Sequence, residues 1–134
     1  MANTLYPKYK EALLAGTAGT SLLAGIVKVA LIDTNAYTYD AGHEFMVDLA
    51  GVVGEPQEID APKTVTNGVF YGPGVTFPAV SGSPLEAMAI FIDSGQPETS
   101  RLVAYLDSDV AGLPITPDGR DIDVIWNISG IFAL

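Results

Sequence analysis

The chain holds one imidazole, His43 in "DAGHEF", and acyl transfer would need that base beside an activated nucleophile, with a third group orienting the ring. No such arrangement is written into the sequence. It has no "GxSxG" elbow, no phosphate-cradling "GxxxxGK[ST]" and no dinucleotide-binding "GxGxxG", and the "GPG" at Gly72 to Gly74 reads as a turn in which Pro73 ends a strand. His43 is therefore expected as a partly exposed residue on a helix or loop. Carboxylates are so plentiful that no pair of them identifies a glycosidase, which needs two across a cleft at a defined separation. Asp107 and Asp109 in "LDSDVAG", and Asp118, Asp121 and Asp123 in "TPDGRDID", offer hard oxygens that would suit calcium. Neither stretch has the twelve-residue loop with its closing Glu, and Asp with Gly in such loops more often serves local backbone groups and positive φ. Tyr37, Tyr39, Phe70, Tyr71 and Trp126 could line a sugar-binding platform. Trp126, however, alternates with Ile122 and Val124 as a core residue would, and "YTY" and "FY" are ordinary strand chemistry. The expectation is no enzyme, no cofactor and no metal site.

Composition narrows the classes further. The 134 residues suit one domain able to bury a sizeable core. Cysteine is absent, which excludes disulfides, thiolate zinc sites and cysteine nucleophiles. The apolar runs are shorter than ten residues, against the roughly 18 that a membrane span requires, so no membrane association is expected. "MANTLYPKYKEALLAG" is a poor match to a secretory signal, and synthesis in the host cytoplasm is expected. A formal charge of −10 would repel a phosphate backbone, so no nucleic-acid partner is expected.

The elements follow from local pattern. Thr4 to Leu14 reads as a short helix, with Pro7 near its start, helix formers in "KYKEALLA" and Gly16 as its C-terminal cap. Leu5, Tyr9 and Leu13 recur at a spacing of four and would share a face. "GTAGTSLLAG" reads as a flexible connection. From Ile26 the text is strand-like: "IVKVALID" stops at the turn-forming "DTNA". "YTYDAGHEFMVDL" fits a short helix capped by Asp40, with Phe45 and Leu49 one turn apart, better than a strand. Then "VVGEPQEI", "KTVTNGVFYG", "GVTFPAV", "LEAMAIFID", "RLVAYLD", "LPIT" and "DIDVIWN" alternate with turns in an all-β cadence. "LEAMAIFID" and "RLVAYLD" pair through "SGQPETS" as a hairpin, and both are apolar on both faces. Something must cover their outer face: the N-terminal helix, "GHEFMVDL" or another subunit. The predicted fold is mainly β, an antiparallel β-sandwich or jelly-roll-like barrel over 25–134, preceded by an N-terminal helical arm over 1–24 and containing a second short helix.

"DIDVIWNISGIFAL" places Ile122, Val124 and Trp126 on a core face and Asp121, Asp123 and Ile125 on the other. Ile125, Ile128, Ile131, Phe132 and Leu134 are more apolar surface than one sandwich obviously hides. With Leu5, Tyr9 and Leu13, they form the expected contact with identical subunits.

At "MANTLYPKYKEALLAG", "IVKVALIDTNAYTYDAGHEFMVDL", "KTVTNGVFYGPGVTFPAV" and "SRLVAYLDSDVAGLPITPDGRDIDVIWNISGIFAL" the chain resembles a group of small virion proteins of tailed bacteriophages. The likeness runs along nearly the whole chain, and the order of the elements carries it. The resemblance implies a structural role: an oligomeric decoration or cement protein on the outer capsid surface, with a homotrimer favoured and the major capsid protein or another virion protein as partner. The alternative is a carbohydrate- or receptor-binding module of a head or tail fibre. No functional residue carries over from that group position by position.

Overall fold

The computed structural model describes residues 3–82, 84–107, 115–126 and 130–133. Ten short strands and one helix are arranged as β1 (Thr4–Leu5), α1 (Pro7–Leu14), β2 (Ile26–Ile32), β3 (Val52–Glu58), β4 (Thr64–Thr66), β5 (Val69–Tyr71), β6 (Val75–Phe77), β7 (Ala87–Asp93), β8 (Arg101–Leu106), β9 (Ile122–Val124) and β10 (Phe132–Ala133). They form an antiparallel five-stranded sheet, β1-β8-β7-β2-β3, a three-stranded sheet, β10-β5-β4, and a two-stranded sheet, β6-β9. The result is a β-sandwich-like fold. Among the described residues no helix is long and apolar enough to cross a membrane.

β2, β7 and β8 make the centre. Their β-branched and apolar runs suit extended backbone, and every residue of the three strands except Ile26 is buried or half-buried, on both faces. The β7–β8 hairpin is the one the sequence predicts. Its loop is closed by Ser100, whose buried hydroxyl donates to the Gln96 carbonyl and accepts from the Ser94 N–H. Beside it, Lys28 Nζ lies 2.8 Å from Asp93 Oδ2, and this cation is the main reason that the Asp93 carboxyl sits below the ordinary carboxylate range.

Both faces are covered by the same chain. On one, Ala30, Ala89 and Tyr105 lie side by side across β2, β7 and β8. The two alanines leave depth for a cluster of rings in which Tyr105 lies 5.9 Å from Tyr37 and 5.5 Å from Tyr39, and Tyr6 lies 5.2 Å from Tyr39. The opposite face carries Val27, Val29, Leu31, Met88, Ile90, Ile92 and Leu106. These join the core that includes Phe70, Val75, Phe77, Ile122, Val124 and Ile131 from the smaller sheets.

The first predicted helix opens at Pro7, near which its start was expected, and ends at Leu14; the residue before a proline is pushed out of the helical region, and Tyr6 is extended (φ −64°, ψ 127°). Thr4 and Leu5 therefore pair with Tyr105 and Ala104 of β8, and Tyr6 and Tyr9 are buried in the core. Residues 4–14 of the predicted arm are thus fastened to the sheet. In place of the second helix there is one three-residue 3-10 turn, Met46–Asp48. Asp40 accepts from Gly42 N–H in a local turn, and the following backbone bonds to distant partners: Met46 N–H to Ser100, Val47 N–H to Pro97, and Leu102 N–H to Glu44. This segment closes the outer edge of β8 where β1 ends.

Because Ala89 is fully buried directly opposite Tyr105 of the ring cluster, Ala89→Leu is expected to overpack that face and lower the unfolding free energy by about 1–3 kcal/mol. Urea denaturation followed by tyrosine and tryptophan fluorescence measures the loss.

Candidate functional site

Helix α1 is a lever that sets one wall of an apolar groove. Pro7 starts it, and its C-terminus turns through Gly16 at φ +67°. There Thr17 N–H bonds the Ala12 carbonyl and Gly16 N–H the Leu13 carbonyl, the paired closure in which a left-handed glycine satisfies the last carbonyls. The stretch read as a flexible connection is a series of hydrogen-bonded turns. Tyr9 Oη donates to the Thr20 carbonyl at 3.0 Å, Thr20 Oγ1 to the Thr17 carbonyl, and Gly25 N–H to the Ser21 carbonyl. These bonds bring Leu22 and Leu23 beside the small sheet.

That sheet forms the floor. Asn67 (φ 52°) and Gly68 (φ 77°) both take the left-handed conformation that a two-residue hairpin demands, so β4 and β5 are joined as tightly as two strands can be. Val65 faces Phe70, and Phe70 faces Phe132 of β10, giving one cross-strand apolar row; the two phenylalanine rings lie 5.5 Å apart. Gly130 makes the approach of β10 possible, since a Cβ there would run into Val69 Cγ1.

The groove encloses about 340 Å³ and is lined by Tyr9, Leu13, Thr20, Ser21, Leu22, Leu23, Val65, Gly68, Phe70 and Phe132. None of these residues is charged. Residues 12–27, 64–85 and 124–134, which supply almost all of them, contain no Asp, Glu, Lys or Arg, although the chain holds sixteen acids. Leu14, Leu23 and Val65 are among the most exposed large apolar side chains.

The residues expected at a subunit contact are dispersed. Tyr9, Leu13 and Phe132 meet in the groove. Leu5 and Ile131 are buried in their own chain, leaving a neighbour little of them to touch, and Tyr9 presents only its rim. Ile125 is 65% exposed and lies outside the groove. Ile128 and Leu134 lie outside the described residues. Val65, Leu22 and Leu23 were not expected there. The signal that could have found them is the absence of charge over three long stretches of so acidic a chain.

The titratable groups are engaged elsewhere. Tyr6 Oη is 2.9 Å from Tyr37 Oη, which is 2.7 Å from His43 Nδ1. Burial, followed by the hydrogen bond to Tyr37, raises the Tyr6 phenol far above its ordinary value; burial also raises Tyr37 and Tyr105. Such phenols stay neutral and act as hydrogen-bonding packing groups. Asp118 accepts from Arg120 N–H, Asp121 from Ala79 N–H, and Asp123 from the Thr76 hydroxyl. Asp109 lies outside the described residues, and among those described no three His, Asp or Glu gather as a metal site. Tyr37 and Phe70 are buried, and Trp126 donates its indole N–H to the Pro73 carbonyl at 2.8 Å. Tyr39 and Tyr71 are half-buried.

Comparison with protein-family models and with curated proteins found no match.

Burial pushes the Tyr9 phenol up to about 12 from 10.0. The folded chain therefore holds this proton more tightly than the unfolded chain, and that contribution to stability is complete below pH 10 and lost as pH rises towards about 12. Urea denaturation across that window is expected to show falling stability, with a shallower fall in Tyr9→Phe. An unchanged slope would show that the Tyr9 phenol is not held neutral by the groove.

Proposed function

We propose that the chain is a self-associating structural protein of a virion, of the decoration or cement kind, that acts through its surface and not through catalysis. One observation carries the reading: an uncharged apolar groove with exposed Leu23 and Val65 at its rim, in a chain of charge −10. Single exposed apolar residues are ordinary on any protein. A contiguous set of them, cleared of carboxylates, marks a surface that association covers. The carboxylates elsewhere keep the remaining surface hydrated and mutually repulsive, which suits a protein held at high density on a shell.

The ordered likeness to small virion proteins of tailed phages supplies the setting, with the major capsid protein or another virion protein as docking partner. Asp118, Asp121 and Asp123 of the second Asp-rich loop accept from backbone and hydroxyl groups of their own chain, which supports a structural over a hydrolytic use of that loop.

Two measurements test the reading. Light scattering at micromolar concentration is expected to give a mass above the 14.0 kDa monomer, and a strictly monomeric protein would overturn self-association. Quantitative mass spectrometry of purified virions from the chain's source is expected to count it in the hundreds, as a shell component would be. Its absence from the particle would overturn the virion assignment.

A further inference from the structure

We propose that two copies of the chain join edge to edge through β4, antiparallel, with a two-fold axis beside Val65, so that two three-stranded sheets continue as one of six strands. The inference rests on the self-association argued above and names the surface that carries it.

The backbone sets the geometry. In a two-residue hairpin the residues flanking the turn, here Thr66 and Val69, exchange both backbone hydrogen bonds, and such pairs alternate along an antiparallel ladder with pairs that exchange none. Thr64 and Tyr71 are the next bonded pair. Val65 and Phe70, between them, point their N–H and C=O away from one another. On the Phe70 side that direction is used, since Ile131 N–H donates to the Phe70 carbonyl at 2.7 Å. On the Val65 side it leads out of the sheet: β4 is the end of the strand order and all three of its residues are exposed. Val65 thus aims one donor and one acceptor at an edge with which no further described strand pairs. A two-fold axis at this residue sets each donor against the identical chain's acceptor, the self-complementarity that an isologous contact requires.

The side chains point to the same occupant. Val65 is 48% exposed although it continues the row of Phe70 and Phe132. Pairing at β4 would set the two Val65 side chains against each other and bury the row end to end, with Thr64 of each copy opposite Thr66 of the other on the reverse face. Charge excludes most other approaches. Two bodies of charge −10 repel unless they meet where carboxylates are missing, and β4 lies within a stretch of 22 residues, 64–85, without any charged side chain. Lys63, just before it, is turned back to the Gly25 carbonyl at 2.7 Å. The edge of the large sheet is guarded in the usual way: β3 carries Glu55, Pro56 and Glu58.

A chain without cysteine gives a clean test. Facing Cα atoms in a hydrogen-bonded antiparallel pair lie about 5.5 Å apart, within the span of a disulfide. Val65→Cys is expected to form a covalent dimer under mild oxidation, well ahead of Glu55→Cys on the guarded edge. Val65→Lys, checked by circular dichroism to be folded, is expected to weaken assembly at least about tenfold in sedimentation equilibrium. Cross-linking of Val65→Cys no faster than of Glu55→Cys, or unchanged assembly of Val65→Lys, would overturn the β4 contact. If wild-type protein self-associates while either result fails, the contact alone is wrong. A wild-type monomer would remove self-association itself.

Discussion

Every other feature of the molecule answers to one constraint: the strands β2, β7 and β8 are apolar on both faces. An antiparallel sheet can leave one face in water when its residues alternate, but here Ala87 to Ile92 are buried without a break. One chain must therefore provide two covers. The smaller sheets cover one face with Phe70, Phe77, Ile122 and Val124. Tyrosines cover the other, and the alanines beneath them set how deep those rings can sit. The hydroxyls of Tyr6 and Tyr37 are partnered to one another and to His43, so this cover seals the sheet without leaving those polar atoms orphaned.

Helix α1 and the small sheet are consequences of that need, and the groove lies where they meet. Tyr9 buries its ring and hands its hydroxyl to Thr20, which shapes the turn that carries Leu22 and Leu23. The groove's polar atoms are thus consumed in building its wall. What it presents to the outside is apolar surface and, at β4, backbone that no other described strand pairs with.

How much of this was legible depended on whether the determining contacts were local. β2, β7 and β8 could be read because their apolar runs end at turn residues whose roles are equally local, as when Asp33 Oδ1 accepts from Asn35 N–H to stop β2. The two-sided burial of "LEAMAIFID" was also readable from its lack of alternation. Residues 37–49 were misread because the spacing of Phe45 and Leu49 suits a helix, whereas the backbone of Glu44, Met46 and Val47 bonds to residues 97–102, fifty or more positions away. The burial of Leu5 was hidden for a similar reason: its partner Ala104 lies at the far end of the chain. Part of the groove was within reach. Asn67-Gly68 announces a two-residue turn, and that turn alone fixes which way the polar groups of Val65 point.

The same row of side chains ties folding to association. Phe70 is a core residue at 1% exposure, Phe132 on one side of it is half-buried, and Val65 on the other is half in water, so burial falls away from Phe70 towards both edges with no gap between core and surface. A partner covering Val65 would extend the core rather than add a separate patch. Binding to the folded form alone stabilises it by mass action, and here that gain would enter through β4 and β5, three-residue strands with little burial of their own apart from Phe70. A short, exposed edge next to a buried phenylalanine is a weak element in a lone chain and a well-placed one in an assembly. On the proposed contact, the lack of carboxylates over residues 64–85 would lower the repulsion that two chains of charge −10 meet elsewhere.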